Sequence, residues 1–137
     1  MDDKARIRDL HAKLSGWLLD AAYPLWSTKG VDPAGGFFHF FRDNGTVYDA
    51  STRHLVSSTR FVFNYAMAWR AFGEREYRDA VDHGVRYLRE AHRDSGSGGY
   101  AWVLHDGKAI DATNHCYGLA FVALAYSKAL EAGVVEA

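Results

Sequence analysis

GGFFHFFRDNGTVYDA (residues 35–50) and GGYAWVLHDGKAIDA (residues 98–112) are two versions of one phrase. Each has paired glycines, an aromatic run, an Asn-Gly or Asp-Gly turn signal and a further apolar residue, which is how a β-hairpin is written. Each is followed by a mostly apolar stretch of helical character. Thr52-Arg53-His54 falls on Thr113-Asn114-His115 and Tyr65 on Tyr126, so the repeat is about 61 residues long. A period of that length built on two helices marks a repeat architecture, in which one unit cannot bury its own apolar face and needs a neighbour.

Working outward from the two phrases, four helices are expected. Residues 4–27 carry Ile7, Leu10, Leu14, Trp17, Leu18 and Leu25, mostly at spacings of three and four with charges between them, which predicts an amphipathic helix with one buried face. Pro24 ends or kinks it early. Residues 52–72 are apolar on most sides and stop at Gly73, a natural C-terminal glycine. Residues 74–92 have a stripe of Tyr77, Ala80, Val81, Val85 and Leu88 on an otherwise charged segment, and residues 113–132 are again apolar nearly all round and end at Gly133. A helix wet on one side belongs to an outer layer, and a helix apolar all round belongs inside. The order predicts an all-α fold of consecutive αα-hairpins with long hairpin-like loops, in units of about 4–73 and 74–133. Such units close most naturally into a toroid of two concentric helix rings; an open solenoid is the competing arrangement.

Composition narrows the function classes. The chain of 137 residues is 48% hydrophobic and 15% aromatic, a core-forming composition. Sixteen Lys and Arg against 17 Asp and Glu give a net charge of −1 with no basic patch, so neither nucleic acid nor a membrane surface is an expected partner. One cysteine, Cys116, leaves no internal disulfide framework and fits a reducing compartment. The charged opening MDDKARIRDLHAK lacks the apolar core of a secretion signal, and no run approaches the ~20 apolar residues that span a bilayer. A cytoplasmic location is expected.

The chemistry-bearing candidates lie on the inner helices. Arg53, Ser57, Arg60 and Asn64 are spaced four, three and four apart as one polar stripe, and Asn114, Tyr117 and Phe121 fall on the corresponding line of the second helix. A guanidinium inside a helix ring costs several kcal/mol unless it is paired or faces a wet cavity. Either Arg60 binds a carboxylate or carbonyl of the fold, or the stripe lines a lumen suited to a neutral polyhydroxylated ligand. Of the histidines, His83 and His92 sit among charges and are expected to be solvated, and His105 to lie on a loop surface. His39, His54 and His115 stand at the helix mouths, where capping and ligand contact are both open. No metal-ligand spacing occurs, Cys116 is expected to be a small buried hydrophobe, and neither a Gly-x-Ser-x-Gly elbow nor a phosphate loop is present.

GGFFHFFRDNGTVYDASTRHLVSSTRFVFNYAMA resembles the first inner-helix region of the N-acylglucosamine 2-epimerase superfamily, and GGYAWVLHDGKAIDATNHCYGLAFVALAYS its glycine–aromatic loop, Asp and Tyr-Gly-x-Ala-Phe helix. The resemblance runs from about residue 10 to 133, and Asn-His-Cys-Tyr-Gly-Leu-Ala-Phe is nearest to the mannose isomerase branch, many members of which have Lys in place of Asn114. It implies an (α/α)6 barrel of twelve helices, of which this chain would be the N-terminal four, and a sugar aldose–ketose isomerase, D-mannose to D-fructose, working by proton transfer through an enediolate. It implies no cofactor and no metal. The general-base histidines are expected beyond residue 137, so that the chain has no catalytic residue of its own and would be inactive alone. Arg60 matches the family's sugar-oxygen contact on the first inner helix and Tyr117 its hydroxyl contact on the second. Asn64, Asn114 and His115 complete the substrate-binding set. Alternatives are a 2-epimerase of N-acylglucosamine or cellobiose type, or a non-catalytic helical-repeat module that binds carbohydrate or protein. A chain of four helices would expose inner-helix flanks and self-associate, and GVVEA is read as the opening of a fifth helix.

Overall fold

The computed structural model describes residues 2–134. Helix α1 (Asp3–Trp17) is capped by Asp2, whose carboxylate accepts from the Lys4 N–H at 3.3 Å. It runs through a π-helical turn, Leu18–Ala22, into α2 (Tyr23–Lys29). Pro24 therefore does not end the helix. The widened turn, closed by the Tyr23 N–H on Leu18 O, places Pro24 in the first turn of α2, where no N–H is needed.

The first phrase folds as a hairpin, β1 (Phe40–Phe41) antiparallel to β2 (Val47–Asp49), turning at Gly45 with φ 78°. Strand β3 (Thr52–His54) leads into α3 (Leu55–Phe72), which stops at Gly73 with φ 73°. Then come α4 (Arg75–Tyr87), a second π-helical turn Leu88–His92, and the second hairpin, β4 (Val103–His105) with β5 (Lys108–Asp111). Its turn is Asp106-Gly107, both at positive φ (48° and 72°), as a two-residue hairpin requires. Helix α5 (Cys116–Glu131) is the last element among the described residues. Strand β4 also pairs with β3, Arg53 opposite Leu104, so the second loop lies against the start of α3 in a sheet of order β3-β4-β5.

The chain is thus mainly helical, as expected, with both inner helices starting three residues late. Asp49 and Asp111 explain the delay: each accepts backbone N–H groups just after its hairpin, Ser51 and Thr52 for the first and Thr113 for the second, all at 2.9 Å, and holds the chain extended. The core is built around α3, which packs α4 on one flank and α5 on another. Leu55, Val62, Tyr65 and Ala66 meet Phe37, Val81 and Leu88 on the first side and Val122 and Ala125 on the second. Phe37 lies flat on Phe61 with centroids 4.3 Å apart.

Several expectations are corrected. Helix α1 has no buried residue; Ile7, Leu10, Leu14 and Trp17 are all exposed because α4 and α5 occupy the other flanks of α3. Helix α5 is buried only along Gly118, Val122, Ala125 and Ala129, with Leu119, Leu124 and Leu130 outside, and Cys116 is exposed, since it precedes that stripe. His92 is 1% exposed, not solvated: Nδ1–H donates to Ala101 O and Nε2 accepts from Ser58, both at 3.0 Å. His83 donates to Gly36 O at 2.8 Å. Of GVVEA, Val135, Glu136 and Ala137 lie outside the described residues.

Helix α4 approaches α3 at Gly84. A Cβ there would stand 2.7 Å from Val62 Cγ2 and 2.8 Å from Phe37 Cε2. Gly84→Ala is therefore expected to destabilise the chain by ~1–3 kcal/mol in urea denaturation, the cost of overpacking outweighing the ~1 kcal/mol gain in helix propensity.

Candidate functional site

The site is organised by the start of α3, where both loops supply acceptors. The His54 N–H donates to His39 Nδ1 at 3.1 Å and the Leu55 N–H to Trp102 O at 2.9 Å. Because His39 Nδ1 accepts, its proton sits on Nε2, which is buried without a partner among the described residues. Burial, then the Arg53 guanidinium, pushes the His39 pKa down to about 3, and burial lowers that of His92 to about 4. His54 is lowered by burial first and the Arg60 charge second.

Arg53 is not on the helical stripe. It lies in β3, 3% exposed, and its Nη2 donates to Asp32 Oδ2 at 2.6 Å, with Phe38 against the guanidinium at 5.0 Å. A buried guanidinium needs a partner, and Asp32, ahead of the first hairpin, supplies it.

The remaining stripe residues, Ser57, Arg60 and Asn64, do share a face of α3. Arg60 is exposed, its guanidinium carbon 5.2 Å from the Phe121 centroid, and no carboxylate pairs with it among the described residues. On one side of it a cleft of about 350 Å³ is lined by Phe40, His54, Ser57, Trp102 and Tyr117. On the other, a groove of about 420 Å³ runs between α3 and the α1–α2 helix, bordered by Trp17, Trp26, His39, Phe61 and Asn64. The structure thus brings Arg60 and Tyr117 together and sets Asn64 behind Arg60. Tyr117 stands on Phe121 at 5.0 Å.

Asn114 and His115 are placed otherwise. Asn114 precedes α5, and its Oδ1 accepts from the Tyr100 N–H at 2.8 Å, locking the second loop with only its amide nitrogen free. His115 packs on Trp102 at 4.4 Å and does not line the cleft. Trp102 and Phe40 are cleft residues that the helical stripe could not reveal. The signal for Trp102 was its place in the second phrase, the position that His39 holds in the first. Its indole fits where Gly118 has no side chain: a Cβ there would be 2.9 Å from Trp102 Cζ3. Among the described residues no three His, Cys, Asp or Glu side chains are grouped for a metal ion, and no helix is long and apolar enough to cross a membrane.

The family model described as N-acylglucosamine 2-epimerase matches residues 36–137. A D-mannose isomerase of Marinomonas mediterranea is 60% identical over 107 residues, covering 78% of this chain and 27% of the relative. A mannose-6-phosphate isomerase of Rhizobium meliloti is 34% identical over 126 residues, 90% of this chain and 33% of the relative. The crystal structure of a D-mannose isomerase superposes with a TM-score of 0.77 at 55% identity, over 80% of this chain and 28% of the other. The chain spans a third or less of the length of these relatives.

His39 and His92 make the fold acid-sensitive. Their folded pKa values lie below the ordinary histidine value of 6.5, at about 3 and about 4, so the stability that their neutral forms hold is complete above pH 6.5 and is lost as pH falls towards 4. Each should contribute a slope of about 1.4 kcal/mol per pH unit in that window. Unfolding free energies measured between pH 7 and 4 should show both, and His92→Gln should remove one.

Proposed function

The chain belongs to the N-acylglucosamine 2-epimerase family, and from that premise we propose that it forms part of a cytoplasmic sugar aldose–ketose isomerase, D-mannose to D-fructose. In this reading residues 4–73 and 74–133 are wedges of an (α/α)6 ring and Arg60 faces its lumen. The observation that carries it is the guanidinium of Arg60, which no carboxylate pairs with among the described residues. Its central carbon lies 5.2 Å from the Phe121 centroid, and it lines a cleft shared with Tyr117. That is how a neutral polyhydroxylated ligand is held: donors for its oxygens, and the rings of Trp102 and Phe40 for its apolar faces.

The reaction removes the proton from C2 of the open-chain aldose and returns one to C1. Charge develops on the enediolate oxygens between the two steps, and a fixed cation beside them lowers the barrier. Arg60 supplies that cation and Tyr117 holds a hydroxyl, with Asn64 and the free amide of Asn114 on the periphery and His115 supporting Trp102. Histidine bases from outside this chain move the proton, and the chain by itself is inactive.

The full-length protein should convert D-mannose to D-fructose. Conversion of mannose-6-phosphate alone moves the substrate assignment, and epimerised cellobiose or N-acylglucosamine without ketose identifies a 2-epimerase instead. No turnover of any of these leaves a binding module. Arg60→Ala in the full-length protein should lower kcat/KM by ~10–150-fold, as loss of a charge-assisted bond of ~1.5–3 kcal/mol requires; an unchanged value removes Arg60 from the site.

A further inference from the structure

Most of the histidines are used by the fold or stand away from the cleft. His39, His83, His92 and His105 each hold a hydrogen bond within the chain. His11 is exposed on α1, and His115 does not line the cleft. His54 is the exception. Its imidazole borders the cleft of Arg60 and Tyr117. Neither of its ring nitrogens has a hydrogen-bond partner among the described residues, and neither is sealed from solvent as His39 Nε2 is.

The residue is nevertheless held in place. Its own N–H and that of Leu55 are bonded to the two loops, and its ring stands edge-on to Trp102 with centroids 4.3 Å apart. The charged and titratable groups that bear on it are Arg60 on α3, Asp111 at the end of β5 and His115 ahead of α5, while Tyr117 on α5 shares its cleft. Burial and then the Arg60 charge outweigh Asp111, so the ring is held below the ordinary histidine pKa and is neutral at pH 7.

Aldohexoses in water are almost wholly cyclic, and C2 cannot lose its proton to an enediolate until C1 is a carbonyl. A ring-opening step therefore precedes the reaction proposed above, and it needs a base for the O1 hydroxyl. O1 is also one of the oxygens that carry the enediolate charge, beside which that reading places Arg60. A guanidinium there makes the O1 proton easier to remove, and His54 borders the same cleft.

We propose that His54 is a catalytic residue for ring opening, the base that takes the O1 proton of the bound aldopyranose. The O1–H electron pair forms the C1=O1 bond while the C1–O5 pair passes to O5. The imidazolium proton then follows to O5 through a water molecule, so that O5 becomes a hydroxyl and His54 is neutral again. Nothing is oxidised or reduced. The reverse step closes the ring on either face of C1, so the same residue exchanges the two anomers. The assignment rests on the aldose reading of the cleft, but the proton concerned is not the one at C2.

Anomer exchange can be followed apart from ketose formation, by magnetisation transfer in NMR between the α and β C1 protons of D-mannose. The full-length protein should accelerate that exchange over the buffer rate. His54→Gln, whose amide is no base, should lower kcat for exchange ~100-fold, within the usual share of a general base, with KM for mannose and the far-UV circular dichroism unchanged. A wild-type exchange at the buffer rate overturns the proposal. So does a variant that exchanges as fast as the wild type, or one whose loss lies in KM alone, which marks a packing role against Trp102. Ketose formed without faster anomer exchange removes His54 and leaves the isomerase reading intact. Exchange that depends on His54 but yields no ketose keeps His54 and removes that reading.

Discussion

Two hydrogen bonds at the start of α3 tie the fold together. A helix end inside a protein leaves N–H groups that must find acceptors, and here the ones at His54 and Leu55 are taken by His39 Nδ1 from the first loop and Trp102 O from the second. Each loop is thereby fixed to the same helix terminus, and β4 can pair with β3 only because that terminus is where both loops arrive. The requirement also dictates chemistry. His39 must stay neutral to accept, which its burial and the nearby Arg53 enforce together.

Arg53 shows how that region supports a charge. Its guanidinium is buried with Asp32 as counter-ion, donates also to Thr52 O at 3.1 Å, and has one orphan, Nε. A buried ion pair adds little net stability but is costly to break, so it selects one geometry more than it strengthens the fold. Asp32 lies at the root of the first hairpin, and the pair holds that root against β3.

The helix order, the hairpin loops and the closing glycines were legible because each rests on local chemistry: apolar periodicity, Asn-Gly and Asp-Gly turns, and positive φ at Gly73 and Gly133. The spacing of four that puts Arg53 on the α3 stripe is equally available to a strand residue two positions ahead of the helix, which is where it lies. The charged sequence neighbours of His92 predict a solvated ring, whereas its partners, Ser58 and Ala101, come from elsewhere in the chain. Asn114 has the right angular position for the stripe only if α5 begins two residues earlier than it does. Arg60 and Tyr117 come to line one cleft because both lie within regular helix, where spacing and direction agree.

The contrast between the two arginines gives the site its character. Arg53 is buried and directs its two Nη groups at a carboxylate and a carbonyl of the fold. Arg60 lies over the Phe121 ring, and no carboxylate pairs with it among the described residues. A cation–π contact consumes no hydrogen-bond donor, so the group is attracted to the ring without its hydrogen-bonding capacity being used. A fixed cation with unsatisfied donors beside aromatic rings suits oxygen-rich neutral molecules better than anions, which would find no second charge among the residues lining the same cleft.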